Sequence, residues 1–75
     1  MQNYAASDEV LVYLIGQTVN GSNERRLAAK FILDCLRTYE SGDQIADCIE
    51  ELEDTPHFEV GSEARELAEG LGLID

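Results

Sequence analysis

Several residue types are scarce in this 75-residue chain. It holds one histidine, one proline, one methionine, two cysteines, no tryptophan and five basic residues. Cys35, Cys48 and His57 are spaced by 13 and 9 residues, which fits no zinc pattern, and a structural zinc site needs a fourth ligand. No run of alternating Asp and Gly marks a calcium loop, because Asp43 and Asp47 have helical spacing. With a single histidine and no local nucleophile signature beside it, no catalytic residue and no cofactor is expected, and the chain does not read as an enzyme. His57 reads as a loop-surface residue. Two cysteines are too few for a disulfide scaffold, and both fall on expected apolar helix faces, which favours buried free thiols over a Cys35–Cys48 disulfide. The longest apolar run, VLVYLI at residues 10–15, is six residues, too short to span a membrane. The opening MQNYAASDE lacks a basic segment, so no secretory signal is expected and a cytoplasmic location follows.

The chain is richest in two things, apolar helix patterning and acid. In residues 23–39, NERRLAAKFILDCLRTY, the residues Leu27, Ala28, Ala29, Phe31, Ile32, Leu33, Cys35, Leu36 and Tyr39 spread over roughly two thirds of a helix circumference. Arg26, Lys30, Asp34 and Arg37 are left as a narrow polar stripe. A helix with so wide an apolar arc has to be covered on several sides. The expected fold class is therefore all-α: one domain over residues 1–75, a small compact bundle of about four short helices around this central one.

Residues 1–6 read as a tail. Ser7 is a suitable N-cap for a helix over residues 8–19, with Asp8 and Glu9 in its first turn. Its β-branched run would also suit a strand paired with residues 58–60, but only these two strand candidates exist. Asn20, Gly21, Ser22 and Asn23 read as a turn that stops this helix and supplies a new N-cap for the central one. Ser41 with Gln44 has capping-box spacing for a third helix over residues 43–53, whose apolar stripe is Ile45, Cys48, Ile49 and Leu52. Pro56 ends it. Residues 57–60 then read as an extended link with Phe58 and Val60 pointing inward. A last helix opens at Gly61 and Ser62, with Ser62 as cap and Ala64, Leu67, Ala68 and Leu71 inward. Gly70 or Gly72 is suited to its C-terminal left-handed position.

Sixteen acids against five bases give a net charge of −11. The first 39 residues are neutral, with four of each sign. The remaining 36 carry twelve acids and one base, Arg65. General adaptation to high salt would spread acids over the whole surface, so this polarity counts against it. A direct nucleic-acid interface is not expected, since the third helix offers a polyanion only carboxylates. The candidate partner-binding residues are Asp43, Asp47, Glu50, Glu51, Asp54, Glu63 and Glu66, with Glu59 and Glu69 extending the second row if the last helix lies alongside the third. Arg26, Lys30 and Arg37 are candidate internal neutralisers, each pair contributing only about 0–1 kcal/mol.

Such a surface suits docking on a basic groove of another protein, one that ordinarily holds DNA or RNA, and no membrane partner is expected. Electrostatic steering would make that association fast and salt-sensitive. In being very small, acidic and free of residue motifs, the chain is similar to phage-encoded inhibitors of host defence, including DNA-mimic antirestriction proteins and anti-CRISPR proteins. That resemblance of bulk properties implies an inhibitor acting through an anionic face. The alternatives are a homo-oligomeric interaction module, a homodimer seamed by Val10, Tyr13 and Leu14 of the apolar first helix, and an acidic regulatory subunit of a basic enzyme.

Overall fold

The computed structural model describes residues 5–74, so most of the expected tail at residues 1–6 lies outside it. Four helices follow one another: α1 (Asp8–Asn20), α2 (Asn23–Thr38), α3 (Gly42–Glu53) and α4 (Phe58–Gly70). Serines cap the first three, and of these Ser7 and Ser41 are the expected ones. Ser7 Oγ accepts from Val10 N at 3.4 Å, and Ser22 Oγ accepts from Arg25 N at 3.3 Å. At α3 the capping box is complete: Ser41 Oγ accepts from Gln44 N, while Gln44 Oε1 accepts from Ser41 N, both at 3.3 Å. Each bond satisfies a donor that the helix itself leaves unpaired.

No described residue forms a strand, and the run at residues 10–15 is helical. As a helix α1 packs Leu14, with Val10 and Leu11 beside it, on the core, whereas an isolated two-stranded pairing has little stability of its own.

α2 is the common element. It touches α1, α3 and α4, while α3 packs chiefly on α4. Its buried residues, Ala28, Ala29, Ile32, Cys35 and Leu36, meet Leu14 of α1, Ile45 and Ile49 of α3, and Ala64, Leu67 and Ala68 of α4. Among the described residues no polar or charged residue is buried. The apolar arc of α2 is narrower than expected. Phe31, Leu33 and Tyr39 are half-buried at its edges, and Leu27 is exposed beside Arg26 and Lys30. Three neighbours of 12 or 13 residues cover one side of a helix, not two thirds of it.

The last helix departs most from expectation. Its first residue is Phe58, so residues 58–60 are helix and not an extended link, and Ser62 lies inside it and is no cap. Phe58 points to solvent. The turn before it is closed by Thr55, whose hydroxyl donates to Leu52 O at 2.7 Å and accepts from His57 N at 3.1 Å. Gly61 is not a breaker. It is buried, and a Cβ there would stand 2.9 Å from the backbone nitrogen of Glu53 and 3.0 Å from its Cα. The glycine lets α4 approach α3 backbone to backbone, which extends the inward row of Ala64 and Ala68 back by one turn.

At the far end Gly72 takes φ +74°. Leu73 N donates to Ala68 O at 2.8 Å and Gly72 N to Glu69 O at 3.2 Å, a Schellman closure. The closure turns Leu73 and Ile74 back into the core, where the Leu73 carbonyl lies against the Cα of Gly42 at the start of α3. No described helix is long and apolar enough to cross a membrane.

Candidate partner-binding face

On α3, Ile45 and Ile49 are buried, and the opposite side presents Asp43, Asp47, Glu50, Glu51 and Asp54, all exposed. At 3.6 residues per turn these five carboxylates fall within less than a third of the circumference. No base lies on that side of the helix. Repulsion within such a row has no relief from α3 itself, so its geometry depends on what anchors the helix from behind.

That anchor is Glu53. It lies one turn beyond Ile49 on the inward edge, and Arg65 of α4 forks onto it. Arg65 Nη2 donates to Oε1 at 2.6 Å, and Nε donates to both oxygens at 3.1 and 3.0 Å. The bidentate geometry holds the Glu53 carboxyl below the ordinary carboxylate range. Glu50 and Glu69 are the further carboxylates that act on Arg65. Glu50 is one turn before Glu53 on α3 and Glu69 one turn beyond Arg65 on α4, so each helix carries an exposed carboxylate within a turn of the pair. Glu59 and Glu66 continue the α4 row, and both are exposed.

Glu63 stands apart. It is half-buried and accepts from Arg25 Nη1 at 3.3 Å. The same guanidinium donates from Nε to Gln17 Oε1 at 2.6 Å and from Nη2 to the Tyr13 hydroxyl at 2.9 Å. Arg25 thus ties α1, α2 and α4 together, and Glu63 belongs to that junction more than to the open row. Glu66 borders a shallow depression shared with Tyr13, Arg25 and Leu67.

The ion pairs among the described residues are therefore Arg25–Glu63 and Arg65–Glu53, and Arg26, Lys30 and Arg37 take part in neither. Arg26 instead donates to Thr18 O at 3.3 Å. A signal for the true pairs was present. Arg25 is spaced i−3, i−4 and i−7 from Ala28, Ala29 and Ile32, so it sits in the apolar arc, where a charge needs a partner. Arg65 has the same relation to Gly61 and Ala68, and Glu53 to Ile49.

Two further features lie near this face. A depression of about 430 Å³ between the first turns of α2 and α4 is lined by Glu24, Phe58, Glu59, Ser62 and Glu63. At the α2–α3 edge Cys35, Cys48 and Tyr39 form a second cluster, and both thiols are free. Burial, with the Cys48 thiol alongside, pushes the Cys35 thiol up to about 12, and a hydrogen bond with Cys48 raises the Tyr39 phenol. We expect iodoacetamide to label half-buried Cys48 in the native protein and Cys35 only after denaturation. The Cys35 shift also sets a pH window. The unfolded thiol titrates first, so the stability linked to it is complete below about pH 9 and declines as pH rises toward 12. Thermal melts across pH 8–11 of the native protein and Cys35→Ala isolate that contribution.

Of the other seam candidates, Leu14 is in the core and Val10 is half-buried. The exposed apolar residues of α1, besides the Arg25-bonded Tyr13, are Val12, Ile15 and Val19. Among the described residues no three of His, Cys, Asp and Glu converge as a metal set. Comparison with family models, curated proteins and solved structures gives no match to this chain.

Proposed function

We propose that this protein is a non-catalytic binding protein whose acidic α3–α4 face occupies a basic, nucleic-acid-binding surface of a partner protein in the cytoplasm. One observation carries this reading. Asp43, Asp47, Glu50, Glu51 and Asp54 project from one side of a helix whose other side is held by the Glu53–Arg65 fork and by the contact at Gly61. A row of like charges on a rigid support is arranged before the partner arrives, so little ordering is needed on association. Glu66 and Glu69 widen the row toward α4.

The depression beside Phe58 suits an Arg or Lys side chain from such a partner. Glu59 lies at its edge, and the Phe58 ring is free to take a cation on its face. Inhibition of a defence nuclease or of another nucleic-acid-binding protein is the activity consistent with the bulk resemblance to phage anti-defence proteins.

The test is binding to basic nucleic-acid-binding proteins from the same source, followed by calorimetry at two salt concentrations. The native protein is expected to bind in a salt-sensitive manner and to be displaced by duplex DNA. Glu50→Lys, Glu51→Lys and Asp54→Lys together are expected to weaken binding by about 100-fold or more. Because all three positions are exposed, the melting temperature is expected to stay within a few degrees of the native value. Undiminished binding by the triple variant would refute the proposal.

A further inference from the structure

α1 contains residues that the single chain does not explain. Val12, Ile15 and Val19 are 70 %, 56 % and 69 % exposed, and steps of three and four place them one above another on the side turned away from Leu14. All three are β-branched and hence weak helix formers. Gly16 lies beside this stripe, and a Cβ there would meet nothing within 4 Å. A glycine in mid-helix costs stability, and no neighbour within the monomer requires it. A helix that is locally weak and apolar toward solvent is consistent with a second helix lying on it, and a glycine at the seam allows close approach.

The charges around the stripe select the occupant. Asp8 and Glu9 lie at the N-terminal end of α1. At the other end the Arg26–Thr18 bond holds Arg26 against the last turns of α1, and Lys30 follows one turn along the same edge of α2, back toward the middle of α1. A second α1 laid antiparallel, with Val12 of one copy against Val19 of the other, brings the Asp8 end of each chain to the Arg26 end of its partner. A parallel arrangement instead gathers four carboxylates at one end. The surface is thus complementary to itself under a two-fold axis near Ile15 and Gly16, as a closed dimer requires.

We infer that the Val12–Ile15–Val19 stripe of α1 is a homodimer seam, formed antiparallel with a second copy of this chain. This face is distinct from the acidic row of α3, and its response to salt is opposite. Each chain carries a net charge of −11. Mutual repulsion opposes dimerisation at low ionic strength, so screening strengthens an apolar seam while weakening an acid–base docking.

Sedimentation equilibrium over a range of concentrations reads this directly. The expected mass rises from 8.3 kDa toward twice that value, and more readily at about 0.5 M salt than at about 0.05 M. Ile15→Asp and Val12→Asp are each expected to weaken the dimer by about tenfold or more, with helix content unchanged because both positions are exposed. Asp8→Lys with Glu9→Lys is expected to impair self-association, and mixing that variant with Arg26→Glu, Lys30→Glu protein is expected to restore it. A chain that stays at 8.3 kDa up to about 1 mM in high salt overturns the inference, as does a dimer indifferent to both aspartates.

Discussion

Replacing Leu36 by alanine is expected to lower stability by about 2–5 kcal/mol, the range for truncating a buried leucine. Leu36 is fully buried on α2, the one helix that touches the other three. A chain of this length has a total stability on the order of 4–11 kcal/mol. The substitution therefore removes a large fraction of it, and a loss of about 5 kcal/mol would leave a protein of about 4 kcal/mol mostly unfolded. Urea titration followed by circular dichroism measures the loss, with a melting temperature lower by about 10 °C or more. Leu27→Ala, on the same helix but exposed, is the control and is expected to change stability by less than about 0.5 kcal/mol. Equal losses at the two positions would show that α2 is not buried as described.

The second large effect comes from a substitution that usually helps a helix. Gly61→Ala raises helix propensity by up to about 1 kcal/mol. Here the added methyl would meet the Cγ of Glu53 at 2.7 Å and its backbone nitrogen at 2.9 Å. The side-chain carbon can rotate away. The nitrogen belongs to the last residue of α3 and cannot move without shifting that helix. Overpacking of this kind costs about 1–3 kcal/mol, so the net change is expected to be destabilising. Any shift also displaces Glu53 from Arg65, and with it the support behind the acidic row. Gly16→Ala provides the contrast. Its Cβ meets nothing within 4 Å, and in dilute protein it is expected to stabilise α1 by about 0.5–1 kcal/mol. Opposite signs for the two glycines, in melts performed side by side, test the close contact of α3 and α4 directly. A stabilising Gly61→Ala would mean that the two backbones are not in contact.

Much of the fold was legible because it depends on local rules. Ser7, Ser22 and the Ser41–Gln44 pair mark helix starts by bonds that span three residues, and the i, i+3, i+4 stripes mark buried sides. The even split of charge over residues 1–39 and the twelve acids after them were equally plain, as was the one-sided row on α3, since a row along one helix needs nothing beyond that helix. Gly61 was misread for the same reason. Out of context a glycine next to a serine resembles a helix opening, and only the backbone of Glu53, eight residues away in sequence, shows why the glycine is there.

Sequence alone, then, determined that the chain is helical, where three of its four helices begin, and that its net negative charge arises from the second half. These are properties of single segments, set by caps, periodicity and composition. Only the tertiary structure decided which bases are paired, that Leu14 lies inside while Val12, Ile15 and Val19 lie outside, and that the Glu53–Arg65 fork joins α3 to α4. Each depends on how far one helix is rotated about its axis against another. That rotation is fixed by contacts between residues distant in the chain, and the pattern within either helix is compatible with several values of it.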